Sequence, residues 1–270
     1  GAIRVARGHT KKDKIIIFKG NYHGHANDTL VKAEGQLSSS GVPNNILSTT
    51  LIAEYNSISS VELLLKQNSD VAGILIEPIP TNMGLILPNN NFLADLRKIC
   101  DESGSLLIFD EVVSGFRASL GGAQQVYKVV PDITILGKAL AGGLPVGAFG
   151  GRKEIMDNLS PDGDVYTAGT FSGNPMTVCC VIETLKLISN KKNYQQMIDN
   201  TQILCNELNE FVQNKELPVK INYSGSMFSI FFTSQKELAN YDDVLKCDFK
   251  IFAEYFHYLL DRGIYLSPSG

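Results

Sequence analysis

The chain has 270 residues, 44% of them hydrophobic and 19% charged, which excludes general disorder and allows one large domain with a smaller one. A net charge of −4 argues against a general nucleic-acid binder. No run is long and apolar enough to cross a bilayer, and the first residues, Gly1 to Lys14, have neither the apolar core nor the cleavage pattern of a signal peptide.

In chain order, Gly1–Arg7 reads as a helix already under way, with no cap before it. Lys14–Phe18 is the first strand-like run, and the segment Asn21-Tyr22-His23-Gly24-His25 follows it. Further strands are predicted at Val71–Ile76, Leu106–Phe109, Ile133–Leu136 and Val146–Phe149, with helical spacing over Ser60–Gln67 and Phe92–Glu102. This alternation predicts an α/β fold with a mostly parallel sheet and helices on both faces. From Asn174 the pattern changes. Helices are expected at Met176–Ser189, Asn193–Lys215 and Val244–Arg262, with strands at Val219–Tyr223 and Met227–Thr233. That is a smaller α+β unit, with a boundary near residue 190. Tyr265–Gly270 stops just after a strand-like stretch, so the chain reads as part of something longer.

Active sites of such sheets lie beyond the carboxyl ends of the strands. Glu77, Asp110 and Lys138 all come at or just past such ends. A lysine with a lowered pKa can form a Schiff base, and a carboxylate can pair with a pyridinium nitrogen, so Asp110 and Lys138 together point to pyridoxal phosphate chemistry. Each also has an ordinary reading. Lys138 alone suits a solvated strand end, and Asp110 suits a helix cap or an ion pair with Arg117. Glu111 should point away from Asp110 if the pleat persists.

Tyr22 can stack on a planar ring or simply pack. Thr170, in the Gly-rich loop Tyr166–Pro175, can bind phosphate or merely begin a helix. Asn82 can contact substrate or stabilise its turn. The four histidines and five cysteines do not cluster as metal ligands, since His23 and His25 supply only two, so no metal is expected. The cysteines read as reduced, mostly buried thiols of a cytosolic or organellar protein. A hydrolase elbow G-x-S-x-G and a nucleotide fingerprint G-x-G-x-x-G after the first strand are both missing.

The combination Phe109-Asp110-Glu111-Val112, Gly115-Phe116-Arg117, Pro131-Asp132, Leu136-Gly137-Lys138 and Gly142-Gly143-Leu144-Pro145-Val146-Gly147 resembles the class III, fold type I pyridoxal phosphate aminotransferases. Within that family the likeness is greatest to the aminomutases of tetrapyrrole (porphyrin) biosynthesis, which turn glutamate 1-semialdehyde into 5-aminolevulinate. It rests there on Tyr22–Ala26, Gly121–Gln124, Ala168–Thr170 with Ser172–Pro175, Gly225–Phe228 with Phe231–Thr233, and Tyr265–Ser269.

The resemblance implies a large cofactor-binding domain over 1–190 and part of a small domain over 191–270. It implies pyridoxal 5'-phosphate, passing through its pyridoxamine form, as cofactor. Lys138 would be the catalytic lysine and Asp110 the partner of the ring nitrogen. Tyr22 would stack on the ring, with His23 beside it, and Asn82 would sit by the substrate. Thr170 would reach the cofactor phosphate of the partner subunit, which implies a homodimer, cytoplasmic or in a plastid stroma. The family's Ser-Gly-Thr phosphate cup would precede Gly1. The segment Lys32–Pro43 is shorter than the family's mobile loop, and Ala141 and Phe171 replace residues that the mutases have as Gly and Leu. Two other readings stand beside this one: a class III transaminase acting on another amino acid or amino sugar, and an inactive dimerising fragment.

Overall fold

A computed structural model describes residues 1–32, 36–89 and 91–268. Part of the Lys32–Pro43 segment, and the last two residues of the C-terminal stretch, lie outside the described residues.

The chain opens with α1 (Ala2–Thr10) and β1 (Lys14–Phe18), followed by a small antiparallel pair, β2 (Val31–Lys32) and β3 (Gln36–Leu37). Next come β4 (Thr50–Ala53), α2 (Ile58–Gln67), β5 (Val71–Ile76), α3 (Phe92–Ser103), β6 (Leu106–Asp110), α4 (Gly122–Tyr127) and β7 (Ile133–Gly137). The rest comprises β8 (Gly147–Gly151), α5 (Lys153–Met156), α6 (Pro175–Ile188), α7 (Lys191–Asn214), β9 (Val219–Ser224), β10 (Met227–Phe232), α8 (Tyr241–Val244) and α9 (Phe249–Leu260). Six strands form one sheet in the order β4-β1-β5-β6-β7-β8. All its pairs are parallel except β7 with β8. The architecture is α/β with a mostly parallel sheet, as the alternation predicts.

The apolar runs of β1, β5 and β6 serve two cores at once. Ile16, Phe18, Ile74, Ile76, Leu107 and Phe109 face a cluster with Val61 of α2 and Phe92, Leu93, Leu96 and Cys100 of α3. Their alternate neighbours Ile15, Ile17, Leu75, Leu106 and Ile108 face Ala2, Val5 and Ala6 of α1 and Ile155 of α5. Period-two side chains on a sheet covered on both faces require such continuous runs. Each fully buried Ile or Leu contributes about 1.5–3 kcal/mol of hydrophobic stabilisation. Both cores meet at the central strands, so the carboxyl ends of β1, β5 and β6 are held rigidly side by side.

Local signals set the helix ends. Ser57 accepts a hydrogen bond from the Ser60 amide at the start of α2, and Gly104, at φ 63°, closes α3 in the left-handed conformation. Asn174 caps α6, with Pro175 at its first position.

Four expectations are corrected. The helix predicted over Val244–Arg262 begins only at Phe249, because the Asp248 carboxylate caps the amides of Lys250 and Ile251 and starts α9 there, while Val244 ends the separate short helix α8. Strand β4 was not expected; as an edge strand it carries a short apolar signal. No strand forms around Tyr265 among the described residues. Of the five free thiols only Cys100 and Cys205 are buried, and Cys179 is exposed. No described helix is long and apolar enough to cross a membrane.

Candidate active site

Strand β6 delivers Asp110, and the burial of its whole run leaves the carboxylate only 8% exposed at the end of the strand. Its Oδ2 lies 2.8 Å from Nδ1 of His23, and its Oδ1 accepts a hydrogen bond of 3.1 Å from the Val112 amide. Arg117 instead donates to the Val113 carbonyl oxygen at 2.9 Å, so the Asp110–Arg117 ion pair does not form. Glu111 points the other way. It accepts from Ser114 Oγ, the Ala123 and Gln124 amides and the Gln124 side chain, which ties α4 to the end of β6.

Strand β7 delivers Lys138 at φ 44°, in the left-handed region that a lysine enters at a cost of about 1–2 kcal/mol. The strand feeding it is half-buried in its middle rather than fully buried, and the lysine side chain is exposed. Among the described residues its ammonium has neither an ion pair nor a hydrogen bond.

Lys138, Asp110, Tyr22 and His23 line one cavity of about 630 Å3. Its wall includes Val112, Ile135 and Phe149, and also Ala2, Ile3, Arg4 and Arg7 of α1. The α1 contribution was not foreseen, because the sequence marks that segment only as a helix. Lys138 also borders a second opening of about 670 Å3, beside Arg117 and the loop from Gly142 to Val146. Tyr22 is 54% exposed, and its ring stands free of polar contacts among the described residues. The His23 side chain is 2% exposed, and its Nε2 is buried without a partner among the described residues.

Glu77, which the sequence flags only by its position at a strand end, lies behind this floor and accepts the Tyr22 amide at 2.8 Å. Burial raises its carboxyl above the ordinary range, opposed by nearby His23 and by the amides of Tyr22 and Thr81. Asn82 and Thr170 are both exposed and do not line the cavity that holds Asp110 and Lys138. Asn82 lies in the turn just past Glu77, bridged to Gly84. Thr170 lies in the loop before α6, at whose rim Gly169 and Phe171 border a separate opening.

A buried carboxylate with a histidine behind it, an unpaired lysine amine and an aromatic ring around one cavity suit a flat, nitrogen-containing cofactor bearing an aldehyde or amine. The orphaned Nε2 of His23 shows that the floor carries polar capacity which the described residues leave unused.

The profile of the class-III aminotransferase family matches residues 1–270. The chain is 49% identical to glutamate-1-semialdehyde 2,1-aminomutase of Clostridium kluyveri, over 99% of this chain and 65% of that protein. It therefore spans about 65% of the length of that curated relative. An omega-transaminase from Sphaerobacter thermophilus superposes with a TM-score of 0.93 at 30% identity, covering 99% of this chain and 65% of the other. A glutamate-1-semialdehyde aminomutase variant from Pseudomonas aeruginosa, solved in complex with PMP, gives a TM-score of 0.86 at 25% identity over 99% and 62% of the two chains.

Proposed function

Because this chain belongs to the class-III aminotransferase family, we propose that its cavity is a pyridoxal 5'-phosphate site and that the protein converts glutamate 1-semialdehyde to 5-aminolevulinate. One observation carries the reading: a buried carboxylate, free of any lysine or arginine pair among the described residues, and an unpaired lysine amine line the same cavity. The similarity to the Clostridium kluyveri aminomutase supports the choice of substrate.

When bound, pyridoxal phosphate supplies an electron sink for charge that develops at the amine-bearing carbon. The chain's own residues do the rest. Asp110, oriented by His23, would hold the cofactor at its ring nitrogen, where a carboxylate would favour the protonated form. Lys138 would supply the amine that attaches the cofactor and would take and return protons at Nζ for the amine-bearing carbon of the substrate. Tyr22 presents its ring for stacking. Asn82 contacts the substrate, and Thr170 reaches the phosphate of a partner subunit across a homodimer, which accounts for the exposure of both. Residues 1–190 form the cofactor domain and 191–270 part of the small domain, in a cytoplasmic enzyme that needs no metal.

The likeness to an omega-transaminase favours one alternative, transfer between two substrates. Incubation with glutamate 1-semialdehyde alone separates the two readings. The aminomutase reading predicts 5-aminolevulinate without an added amino donor, and loss of that product in Lys138→Ala. A strict requirement for a second amino or keto substrate would replace it with a transaminase.

A further inference from the structure

We propose that Glu77 is a positioning residue of this site: its two carboxylate oxygens hold the turn carrying Tyr22 and His23 against the turn carrying Asn82. The proposal rests on the reading of the cavity as a cofactor site. Glu77 follows β5, which lies between β1 and β6 in the sheet. Its Oε1 accepts the Tyr22 amide at 2.8 Å and its Oε2 accepts the Thr81 amide at 3.0 Å. In return, Asn21 Oδ1 accepts the Glu77 amide at 2.9 Å. The exits of β1 and β5 are thus latched in both directions, each side chain gripping the other segment's backbone.

Glu77 is 6% exposed and makes no ion pair among the described residues. A charged group in such a place costs free energy unless its hydrogen bonds are needed. Here each oxygen serves a different turn. Among the described residues the Tyr22 ring has no polar tie of its own, so its position follows from its backbone. The next residue, His23, reaches across to Asp110. Glu77, the Tyr22–His23 pair and Asp110 therefore connect the ends of three neighbouring strands, and Glu77 acts on the cofactor floor through residues that touch the cavity.

Glu77→Gln keeps the shape but sets an amide N–H group against one of the two backbone donors, so a space-filling role predicts no effect and a positioning role predicts loss. Two readouts are needed: hydrogen exchange of the Tyr22 and Thr81 amides in the chain without cofactor, and pyridoxal 5'-phosphate affinity by visible absorbance. We expect exchange at one of these amides to rise about tenfold or more, the effect of losing one bond to a charged acceptor. Cofactor affinity should fall about tenfold as the ring and the histidine lose their register. If Glu77→Gln does not fold, Asn21→Ala, which removes the reciprocal acceptor of the Glu77 amide, is read by exchange at the Glu77 amide and by the same cofactor affinity. Unchanged exchange in a folded variant overturns the latch. Faster exchange with unchanged affinity overturns the positioning role. If the unmodified chain binds no pyridoxal phosphate, the functional reading fails, while amide exchange still decides the latch.

Discussion

Nδ1 of His23 stands 2.8 Å from Oδ2 of Asp110, joining two residues 87 positions apart whose side chains are 2% and 8% exposed. With so little solvent, neither partner can exchange the other for water. The histidine thereby sets the plane of the carboxylate at the cavity floor.

His23→Ala should leave the Asp110 oxygen buried without its partner and cost about 1–3 kcal/mol of stability. The same variant should weaken pyridoxal phosphate binding, because the carboxylate is free to turn. Thermal melting and a cofactor titration, run on one sample, check both effects.

The backbone of Lys138 supplies a second test. Its φ of 44° suits glycine and penalises any residue with a Cβ. Lys138→Gly should therefore be more stable than Lys138→Ala by about 1 kcal/mol in denaturant unfolding, although neither can bind the cofactor covalently.

At the opposite ends of the strands, just before β7, the Asp132 side chain is 4% exposed; it accepts from Arg97 at 2.9 Å and the Leu107 amide at 2.7 Å and pairs with Arg152 at 3.1 Å. Asp132→Ala leaves the buried Leu107 N–H without its acceptor and the two guanidinium groups with only Asp101 and Glu154 as partners. Discounted for the partial exposure of both arginines, the loss should be about 2–4 kcal/mol in denaturant unfolding. Cofactor affinity measured below the new transition should not change.

Burial raises the Glu77 carboxyl above the ordinary glutamate value of about 4.3, against the influence of nearby His23 and with that of Asp110. Buried Tyr55 also faces it. Between the ordinary value and the raised one, the folded chain binds more protons at this site than the unfolded chain does. The contribution is fully present below about pH 4.3 and is lost as pH rises through the raised value. The stability advantage of the unmodified chain over Glu77→Gln should therefore shrink with rising pH across that window. Paired melting curves would contradict this if the advantage grew.

Much of this was legible in the sequence. The runs Val71–Ile76 and Leu106–Phe109 announce strands because both faces of the sheet need apolar side chains, and those strand ends mark out Asp110. Lys138 was legible for the same reason. Thr50–Ala53 was not, since an edge strand needs few apolar residues, and the break at Asp248 depends on a capping geometry that helical periodicity overrides. The partnership of His23 with Asp110, and the latch at Glu77, depend on which strands lie side by side, and no local pattern encodes that adjacency. Tyr22 and His23 were named singly; the order β1-β5-β6 makes them one floor with Asp110, held from behind by Glu77.

The central claim is that Lys138 and Asp110 frame a pyridoxal phosphate site, and a cofactor titration tests it most directly. Addition of pyridoxal 5'-phosphate to the chain should produce a saturable visible absorbance band that is lost in Lys138→Ala and weakened in Asp110→Asn. A band that persists unchanged in Lys138→Ala, or no saturable band in the unmodified folded chain, would contradict the assignment.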